Sequence, residues 1–167
     1  MKRDGKMPVT GQLSEKLFAE LKKRNQSVAF AESCTGGQLS GEFVKIPGVS
    51  EVFSGSVVSY SYQAKEDLLS VSGETLKAFG AVSSQVARQM AHGVRKQFKS
   101  DWALAISGIA GPSGGTVEKP VGTVVFSCIG PQTEEAVQKK FGGDRETIQK
   151  ASVEFALEWL LENLKKQ

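Results

Sequence analysis

Apolar side chains recur every three to four residues in three long segments of the chain, which is the spacing of one helix face. The first helix is predicted over residues 11–24, from Leu13, Leu17 and Leu21. The second follows Ser83 and Ser84, which are good N-caps, and its apolar positions are Val86, Met90, Val94 and Phe98. The third closes the chain after Asp144 and carries Ile148, Ala151, Phe155, Trp159 and Leu160 on one face.

Short apolar runs alternate with helical segments along the rest of the chain and predict strands. Four strands are expected at residues 27–32, 53–60, 102–106 and 121–129, with an edge strand at residues 135–141. Shorter helices are expected at residues 35–45, 63–69 and 74–79. Strands that alternate with helices are typical of an α/β domain. We therefore expect a three-layer sandwich, in which a mixed, mostly parallel sheet carries helices on both faces.

The length and composition indicate one globular domain. The chain has 167 residues, of which 40% are apolar and 23% are charged, and these values exclude a disordered or coiled-coil protein. We expect a flexible arm at residues 1–9 and a single domain at residues 10–167. Glycine is in excess, at 18 of 167 residues, against an average of about 7%. Such an excess indicates loops whose backbone approaches a ligand closely.

The charge and the cysteines narrow the choice of partner and compartment. A net charge of +3, with the densest basic runs at predicted helix C-termini, does not indicate nucleic acid as a partner. Cys34 and Cys128 are too few for a disulfide framework, and no signal peptide is recognisable at the N-terminus. No apolar segment is as long as a membrane-spanning helix, which needs about 20 residues. We therefore expect a cytoplasmic protein with no membrane partner.

The first candidate ligand site is a loop that follows a strand, since ligands of α/β sheets bind beyond the carboxyl ends of the strands. This loop contains Ser33, Thr35, Gly36 and Gly37 at the predicted start of a helix. Free backbone N–H groups at a helix start bind anions. The alternative is an ordinary N-cap, in which a Ser or Thr side chain occupies those groups.

Two further loops are candidate ligand sites. The loop at residues 107–120 begins with Ser107 and Gly108, and its length is that of a functional loop. It matches neither the Walker pattern nor the dinucleotide-binding glycine pattern. In the last loop Arg145 follows two glycines. Its guanidinium either binds a phosphate or carboxylate or is solvated beside an N-cap formed by Asp144.

Few side chains are candidates for catalysis. His92 is the only histidine and lies opposite the apolar face of its predicted helix, which argues against a Ser-His-Asp triad or a histidine metal site. A hydrolase would then need a Ser or Cys nucleophile assisted by Lys, Tyr or a carboxylate. Ser50, Tyr60 and Lys65 form such a trio. A strand of about 25 Å separates Ser50 from the other two, so they meet only if the preceding turn folds back.

A set of short segments covers about residues 10–165 and carries a family resemblance. The segments are AESCTGG (31–37), PGVS (47–50), VSY (58–60), AK (64–65), GAVS (80–83), ISGIAGP (106–112), KPVGT (119–123) and GDR (143–145). Together, and in this order, they resemble the C-terminal domain of the CinA family. That family includes stand-alone amidohydrolases that convert nicotinamide mononucleotide to nicotinate mononucleotide and ammonia, a reaction of bacterial pyridine nucleotide recycling.

The resemblance implies a catalytic trio of Ser50, Tyr60 and Lys65 and no metal or organic cofactor. Ser50 would attack the amide, and neutral Lys65 would take its proton directly or through Tyr60. Free lysine has a pKa of about 10.4, so burial or a cationic neighbour must lower the pKa of Lys65. The resemblance also implies a homodimer. The expected substrate contacts are Ser33, Thr35, Gly36, Gly37, Ser107, Gly108 and, for the phosphate, Arg145.

Two alternatives remain open from the sequence. In the first, Cys34 is the nucleophile of an amidase, because a helix N-terminus would lower its pKa and Glu32 and Lys65 could assist it. In the second, the chain is a non-catalytic nucleotide-binding module, or an interaction module associated with competence or DNA damage. Release of ammonia from nicotinamide mononucleotide separates the second alternative from both amidases.

Overall fold

The computed structural model of the chain describes residues 8–167. Most of the arm predicted at residues 1–9 lies outside the described residues. Val9 does not belong to an arm, because the first helix begins there. None of the helices formed by residues 8–167 is both long enough and apolar enough to cross a membrane.

The described residues form six α-helices, a short 3₁₀ helix and five strands, and every predicted element is present. The helices are α1 (Val9–Arg24), α2 (Gln38–Phe43), α3 (Tyr62–Leu69), α4 (Gly73–Phe79), α5 (Ser84–Phe98) and α6 (Arg145–Lys165), with the 3₁₀ helix at Val49–Glu51. The strands are β1 (Val28–Glu32), β2 (Phe53–Val58), β3 (Trp102–Gly108), β4 (Thr123–Gly130) and β5 (Thr133–Lys140). The largest difference from prediction is in α2, which begins after Gly37 because the turn before it is not helical.

The strands form one sheet in the order β2-β1-β3-β4-β5. Strand β1 pairs in parallel with β2 and β3, whereas β4 pairs antiparallel with β3 and β5. Four of the five strands therefore run in the same direction, and only β4 is reversed. The expected mixed, mostly parallel sheet in a single α/β domain is confirmed.

The two faces of the sheet carry side chains of different size. Bulky residues, including Phe30, Trp102 and Leu104, cover the face that packs against α1, α2 and α6. The other face carries alanines of β1 and β3 and packs mainly against α5. Small side chains allow a close approach of a helix to the sheet. The expected helices on both faces are confirmed.

Helix α3 is held against α5 by a close backbone approach. A Cβ at Gly93 of α5 would lie only 2.0 Å from the carbonyl oxygen of Leu69, so no larger residue fits there. Ser61 caps the N-terminus of α3, because its side chain accepts the N–H of Ala64. These contacts fix the position of Lys65, which lies in the first turn of α3.

Candidate active site

Three serines lie side by side where the parallel strands end. In the parallel pairing the last partners are Val58 of β2, Glu32 of β1 and Ile106 of β3, which lie in register, and each is followed by a serine. The backbone N–H of Ser33 donates to the carbonyl of Ile106 at 3.0 Å, which extends the pairing by one residue. Adjacent strands are about 4.8 Å apart. The row of Ser59, Ser33 and Ser107 therefore brings three hydroxyl groups to one edge of the sheet.

Lys65 reaches this row from helix α3. Its side chain is only 1% exposed, and its Nζ donates to the carbonyl of Ser59 at 2.5 Å and contacts the Oγ of Ser33 at 3.0 Å. Burial lowers the pKa of Lys65 to about 8, and the neighbouring Cys34 acts in the opposite direction. Removal of an ammonium from water favours the neutral amine. This arrangement is suited to a nucleophile and base pair, in which a lysine can activate a serine without histidine.

The pair lies in a cavity of about 230 Å³. The cavity walls come from the ends of β1 and β3, from the loop after β3, from α3 and the residues before it, from the loop before α5 and from the start of α6. The residues in its wall are Ser33, Cys34, Tyr60, Lys65, Ala81, Val82, Ser107, Gly108, Ile109, Ala110, Gly111, Ser113, Gly114 and Arg145. It lies where ligands bind in α/β sheets, beyond the carboxyl ends of the parallel strands.

Arg145 bridges two sides of the cavity. Asp144 caps α6 by accepting the N–H of Thr147, as one alternative for this loop predicted. Arg145 is not merely solvated, however, because it donates to the carbonyl of Gly111 at 2.7 Å and to the hydroxyl of Tyr60 at 2.5 Å. Tyr60 itself is 61% exposed. Arginine has five N–H donors, so further donors are left for a bound anion.

Part of the cavity wall is formed by the loop between α4 and α5. Ser107 donates from its Oγ to the carbonyl of Ala81 at 2.7 Å. The backbone N–H of Ala81 donates to the hydroxyl of Tyr62 at 3.3 Å. Lys119 in the long loop donates to the carbonyl of Phe79 at 2.6 Å. The loop and the end of α4 are therefore tied to three other parts of the chain.

A wider depression of about 660 Å³ lies between α1, α2 and α6. Its wall is mostly exposed and includes Thr10, Glu42, Lys45 and Lys150. No serine or cysteine lies in this wall. The smaller cavity is the candidate active site because it holds the Ser33–Lys65 pair.

The anion site predicted at Thr35, Gly36 and Gly37 is not open to a ligand. The carboxylate of Glu32 already occupies it. The carboxylate of Glu32 accepts from the side chain of Thr35 at 2.7 Å and from the backbone N–H of Gly37 at 3.0 Å. It also accepts the N–H groups of Leu39 and Ser40, at 3.1 and 2.9 Å. Thr35, Gly36 and Gly37 are absent from the cavity wall. An internal carboxylate stands here where a ligand anion was expected.

The structure does not bring Ser50 to Tyr60 and Lys65, so the predicted trio does not assemble. Ser50 is exposed in the 3₁₀ helix that precedes β2, near Phe53, which pairs with the first residue of β1. Tyr60 and Lys65 follow the other end of β2. A six-residue strand spans about 20 Å, and the turn does not fold back. The neighbour of Lys65 is Ser33, which had been expected only to contact the substrate.

The expected low pKa of Cys34 is also wrong. Cys34 borders the cavity, but it is only 4% exposed. Burial raises its pKa to about 12, and the charge of Glu32 acts in the same direction. Glu32 cannot assist it as a base, since its carboxylate is occupied at the start of α2. A thiol with this pKa is not a nucleophile at neutral pH.

His92 lies outside the cavity wall. His92 is exposed on α5 and lies 3.2 Å from the carboxylate of Glu134, so its predicted surface position is confirmed. Within residues 8–167, no three His, Cys, Asp or Glu side chains are close enough together to hold a metal ion.

The sequence analysis missed Glu32 as a helix cap and Ser59 as a partner of Lys65. Their positions near the ends of two predicted strands were the available signal.

Comparison with known sequences identifies relatives. Residues 10–164 match a family model described as the CinA C-terminal domain. A CinA-like protein of Prochlorococcus marinus is 49% identical over 150 residues, which are 89% of this chain and 36% of the relative. A CinA-like protein of Thermotoga neapolitana is 46% identical over 155 residues, which are 93% of this chain and 38% of the relative. The chain therefore spans about a third of the length of these curated relatives.

Solved structures agree with this similarity. A competence/damage inducible protein from Agrobacterium tumefaciens superposes with a TM-score of 0.91 and 37% identity, over 99% of both chains. A CinA superfamily protein from Klebsiella pneumoniae superposes with a TM-score of 0.91 and 34% identity, over 95% of this chain and 99% of the other. These two solved chains are thus covered almost completely by the fold described above.

Proposed function

The chain belongs to the family of CinA C-terminal domains, and from that premise we propose that it is an amidohydrolase. Its substrate is nicotinamide mononucleotide, and its products are nicotinate mononucleotide and ammonia. The observation that carries the proposal is the contact of 3.0 Å between Lys65 Nζ and Ser33 Oγ in a cavity beyond the parallel strands. A serine activated by a buried lysine is suited to acyl transfer.

The nucleophile of this proposal is Ser33 rather than Ser50. Ser33 meets the base directly, whereas Ser50 lies near the opposite end of β2. Neutral Lys65 has one lone pair and two N–H groups. The carbonyl of Ser59 accepts one N–H, and the lone pair accepts the proton of Ser33. A pKa of about 8 leaves a useful fraction of Lys65 neutral at physiological pH.

The reaction proceeds through an acyl-enzyme. Ser33 Oγ attacks the carboxamide carbon while its proton moves to Lys65 Nζ. Lys65 then returns this proton to the amide nitrogen, so that the C–N bond breaks and ammonia leaves. A water molecule attacks the ester and gives its proton to Lys65. When the bond from carbon to Ser33 Oγ breaks, Lys65 returns that proton to Ser33, and the product acid is released.

The backbone N–H of Cys34 is suited to stabilise the oxyanion of both steps. Within residues 33–40, every backbone N–H has an acceptor on another residue except those of Cys34 and Thr35. Of these two residues only Cys34 borders the cavity. The N–H that follows a nucleophilic serine commonly contributes to an oxyanion hole. One such donor contributes roughly 3 kcal/mol to transition-state stabilisation.

Arg145 is suited to bind the phosphate of the nucleotide. It lies in the first turn of α6 at the edge of the cavity, where the positive end of the helix dipole adds to its charge. Its contacts with Gly111 and Tyr60 hold the guanidinium at the cavity wall. Gly108 and Ser107 in the cavity wall then face the nicotinamide end. A cytoplasmic homodimer also belongs to the proposal and rests on the family alone.

Ammonia release from nicotinamide mononucleotide tests the proposal in three proteins. The wild type is expected to release ammonia, and Ser33→Ala is expected to lower kcat by at least about 10³-fold because the nucleophile is gone. Ser50→Ala is the matched control and is expected to retain activity within about twofold, because its side chain is exposed away from the cavity.

Two results would count against this assignment. Full activity in Ser33→Ala together with loss of activity in Ser50→Ala would return the nucleophile to Ser50. Calorimetric binding of nicotinamide mononucleotide by the wild type without any ammonia release would instead favour the non-catalytic module.

A further inference from the structure

The hydroxyl of Ser107 has its single proton committed. A serine hydroxyl has one O–H donor and two acceptor lone pairs. Its Oγ lies 2.7 Å from the carbonyl oxygen of Ala81. A carbonyl oxygen can only accept, so Ser107 must donate in this contact. Towards the cavity, therefore, Ser107 offers lone pairs alone.

The loop that accepts this proton is held in place. Tyr62 accepts the backbone N–H of Ala81 at 3.3 Å. Ser83 donates from its side chain to the carbonyl of Gly80 at 2.9 Å and caps α5 by accepting the N–H of Val86. The carbonyl of Ala81 cannot easily turn away from Ser107 without loss of these bonds. Ser107 is only 1% exposed, so water would not readily replace the carbonyl of Ala81 as the acceptor of its proton.

The position of Ser107 relative to Ser33 decides what it meets. Glu32 and Ile106 are paired in register, so the two serines that follow them are neighbours on adjacent parallel strands. Both border the same cavity. A carbonyl carbon attacked by Ser33 Oγ therefore has its remaining substituents within reach of Ser107. A substituent with N–H donors satisfies the Ser107 lone pairs, whereas an oxygen without a proton does not.

We propose that Ser107 accepts an N–H of the substrate's amide nitrogen and thereby selects a primary amide over the corresponding ester or carboxylate. The inference rests on the proposed function for the identity of the substrate. An ester or carboxylate oxygen in this position places lone pair against lone pair in a buried site. Sites built to pair with one polar group discriminate strongly against its absence.

The kinetic test compares two substrates in one protein. The values of kcat/KM are measured for nicotinamide mononucleotide and for the methyl ester of nicotinate mononucleotide. In Ser107→Ala we expect the amide value to fall by about tenfold and the ester value to change by no more than about twofold. Both values come from the same preparation, so a partly unfolded variant lowers both equally and leaves their ratio intact.

Two control variants accompany this test. Ser107→Thr retains a hydroxyl and is expected to retain the wild-type ratio. Ser127→Ala is matched to Ser107→Ala, because Ser127 is buried and donates to the carbonyl of Glu135 at 3.2 Å, away from the cavity. Its ratio is expected to remain unchanged. If Ser107→Ala lowers kcat/KM equally for both substrates, or changes it for neither, the proposal is wrong.

A binding measurement separates this inference from the proposed function. In the Ser33→Ala background, dissociation constants are measured by calorimetry for nicotinamide mononucleotide and for nicotinate mononucleotide. Addition of Ser107→Ala is expected to shift the ratio of the two constants by about tenfold in favour of the acid. An unchanged ratio would overturn the role of Ser107. Absence of ammonia release by the wild type would overturn the proposed function, while a shifted ratio would still support the acceptor role.

Discussion

Glu32 and Lys65 are both buried at the carboxyl edge of the sheet, yet the protein surrounds them in opposite ways. Glu32 is 0% exposed, and its carboxylate accepts from the side chains of Thr35 and Ser40 and from three backbone N–H groups. Lys65 is 1% exposed and has two hydrogen-bond partners, both uncharged oxygens. Among the described residues, no carboxylate forms a salt bridge with Lys65.

The difference lies in whether hydrogen bonds replace the water that each buried group loses. A buried charge is tolerated when hydrogen bonds replace its hydration. The start of α2 supplies that replacement to Glu32, which joins β1 to the helix. Lys65 lacks it, and its ammonium form is therefore disfavoured. Perturbed groups of this kind cluster at functional sites, and Lys65 is the one that contacts a serine at the cavity.

The largest expected effect is the loss of the base. Lys65→Met is expected to lower kcat for ammonia release by at least about 10³-fold, because Ser33 loses its proton acceptor. Thermal unfolding is expected to occur at the same or a higher temperature, because a poorly solvated amine is replaced by an apolar chain.

Lys65→Arg provides the control, since a guanidinium remains charged and cannot act as the base. It is expected to be as inactive as Lys65→Met. If Lys65→Met keeps wild-type turnover, Lys65 is not the base. Its difference from Glu32 would then have no catalytic meaning.

A smaller effect, on stability rather than on chemistry, is expected for Glu32→Gln. The amide group would direct N–H donors towards the backbone N–H groups of α2, and the free energy of unfolding is expected to fall by about 2 kcal/mol. Urea denaturation measures this loss. The folded fraction is expected to keep activity within about tenfold. Unchanged stability together with abolished turnover would show that Glu32 belongs to the chemistry as well.

The mildest test is a change of pH. The pKa of Lys65 is lowered to about 8, so kcat/KM is expected to rise about tenfold per pH unit below pH 8 and to level off above it. The unfolded chain, with an ordinary lysine pKa of about 10.4, holds more protons between these two values. The free energy of unfolding therefore rises with pH from about 8 to about 10.4. Below pH 8 the buried ammonium of Lys65 destabilises the fold to its full extent.

A pH series on wild type and Lys65→Met measures both trends. The activity limb should be visible in the wild type, and the stability rise above about pH 8 should be absent from Lys65→Met. An activity profile that stays flat between about pH 6 and pH 9 would mean that Lys65 does not need to lose a proton.

Much of the fold could be predicted because its signals are local. The apolar run at Trp102 and the four-residue repeat in α5 reflect burial that each segment must achieve in any α/β arrangement. Asp144 and Ser83 were recognisable as caps for the same reason, since a cap depends on residues three positions away.

The candidate site was harder to predict because its contacts are distant in sequence. Ser33 and Lys65 are 32 residues apart, and they meet only because β1 and β2 are parallel neighbours. The separation of Ser50 from Lys65 has the same cause, since a strand moves the chain from one edge of the sheet to the other. The carboxylate of Glu32 adds a second ambiguity, because a helix start accepts an internal anion as readily as a ligand.

The sequence by itself determined the elements, the α/β class, the family and the short set of polar residues from which a site could be built. Only the tertiary structure decided which of them meet: Ser33 with Lys65, Glu32 with the start of α2, and Arg145 with Tyr60. The physical reason is that secondary structure follows from periodic burial and local hydrogen bonds. The pKa of a lysine and the partner of a hydroxyl depend instead on what the whole fold brings around them.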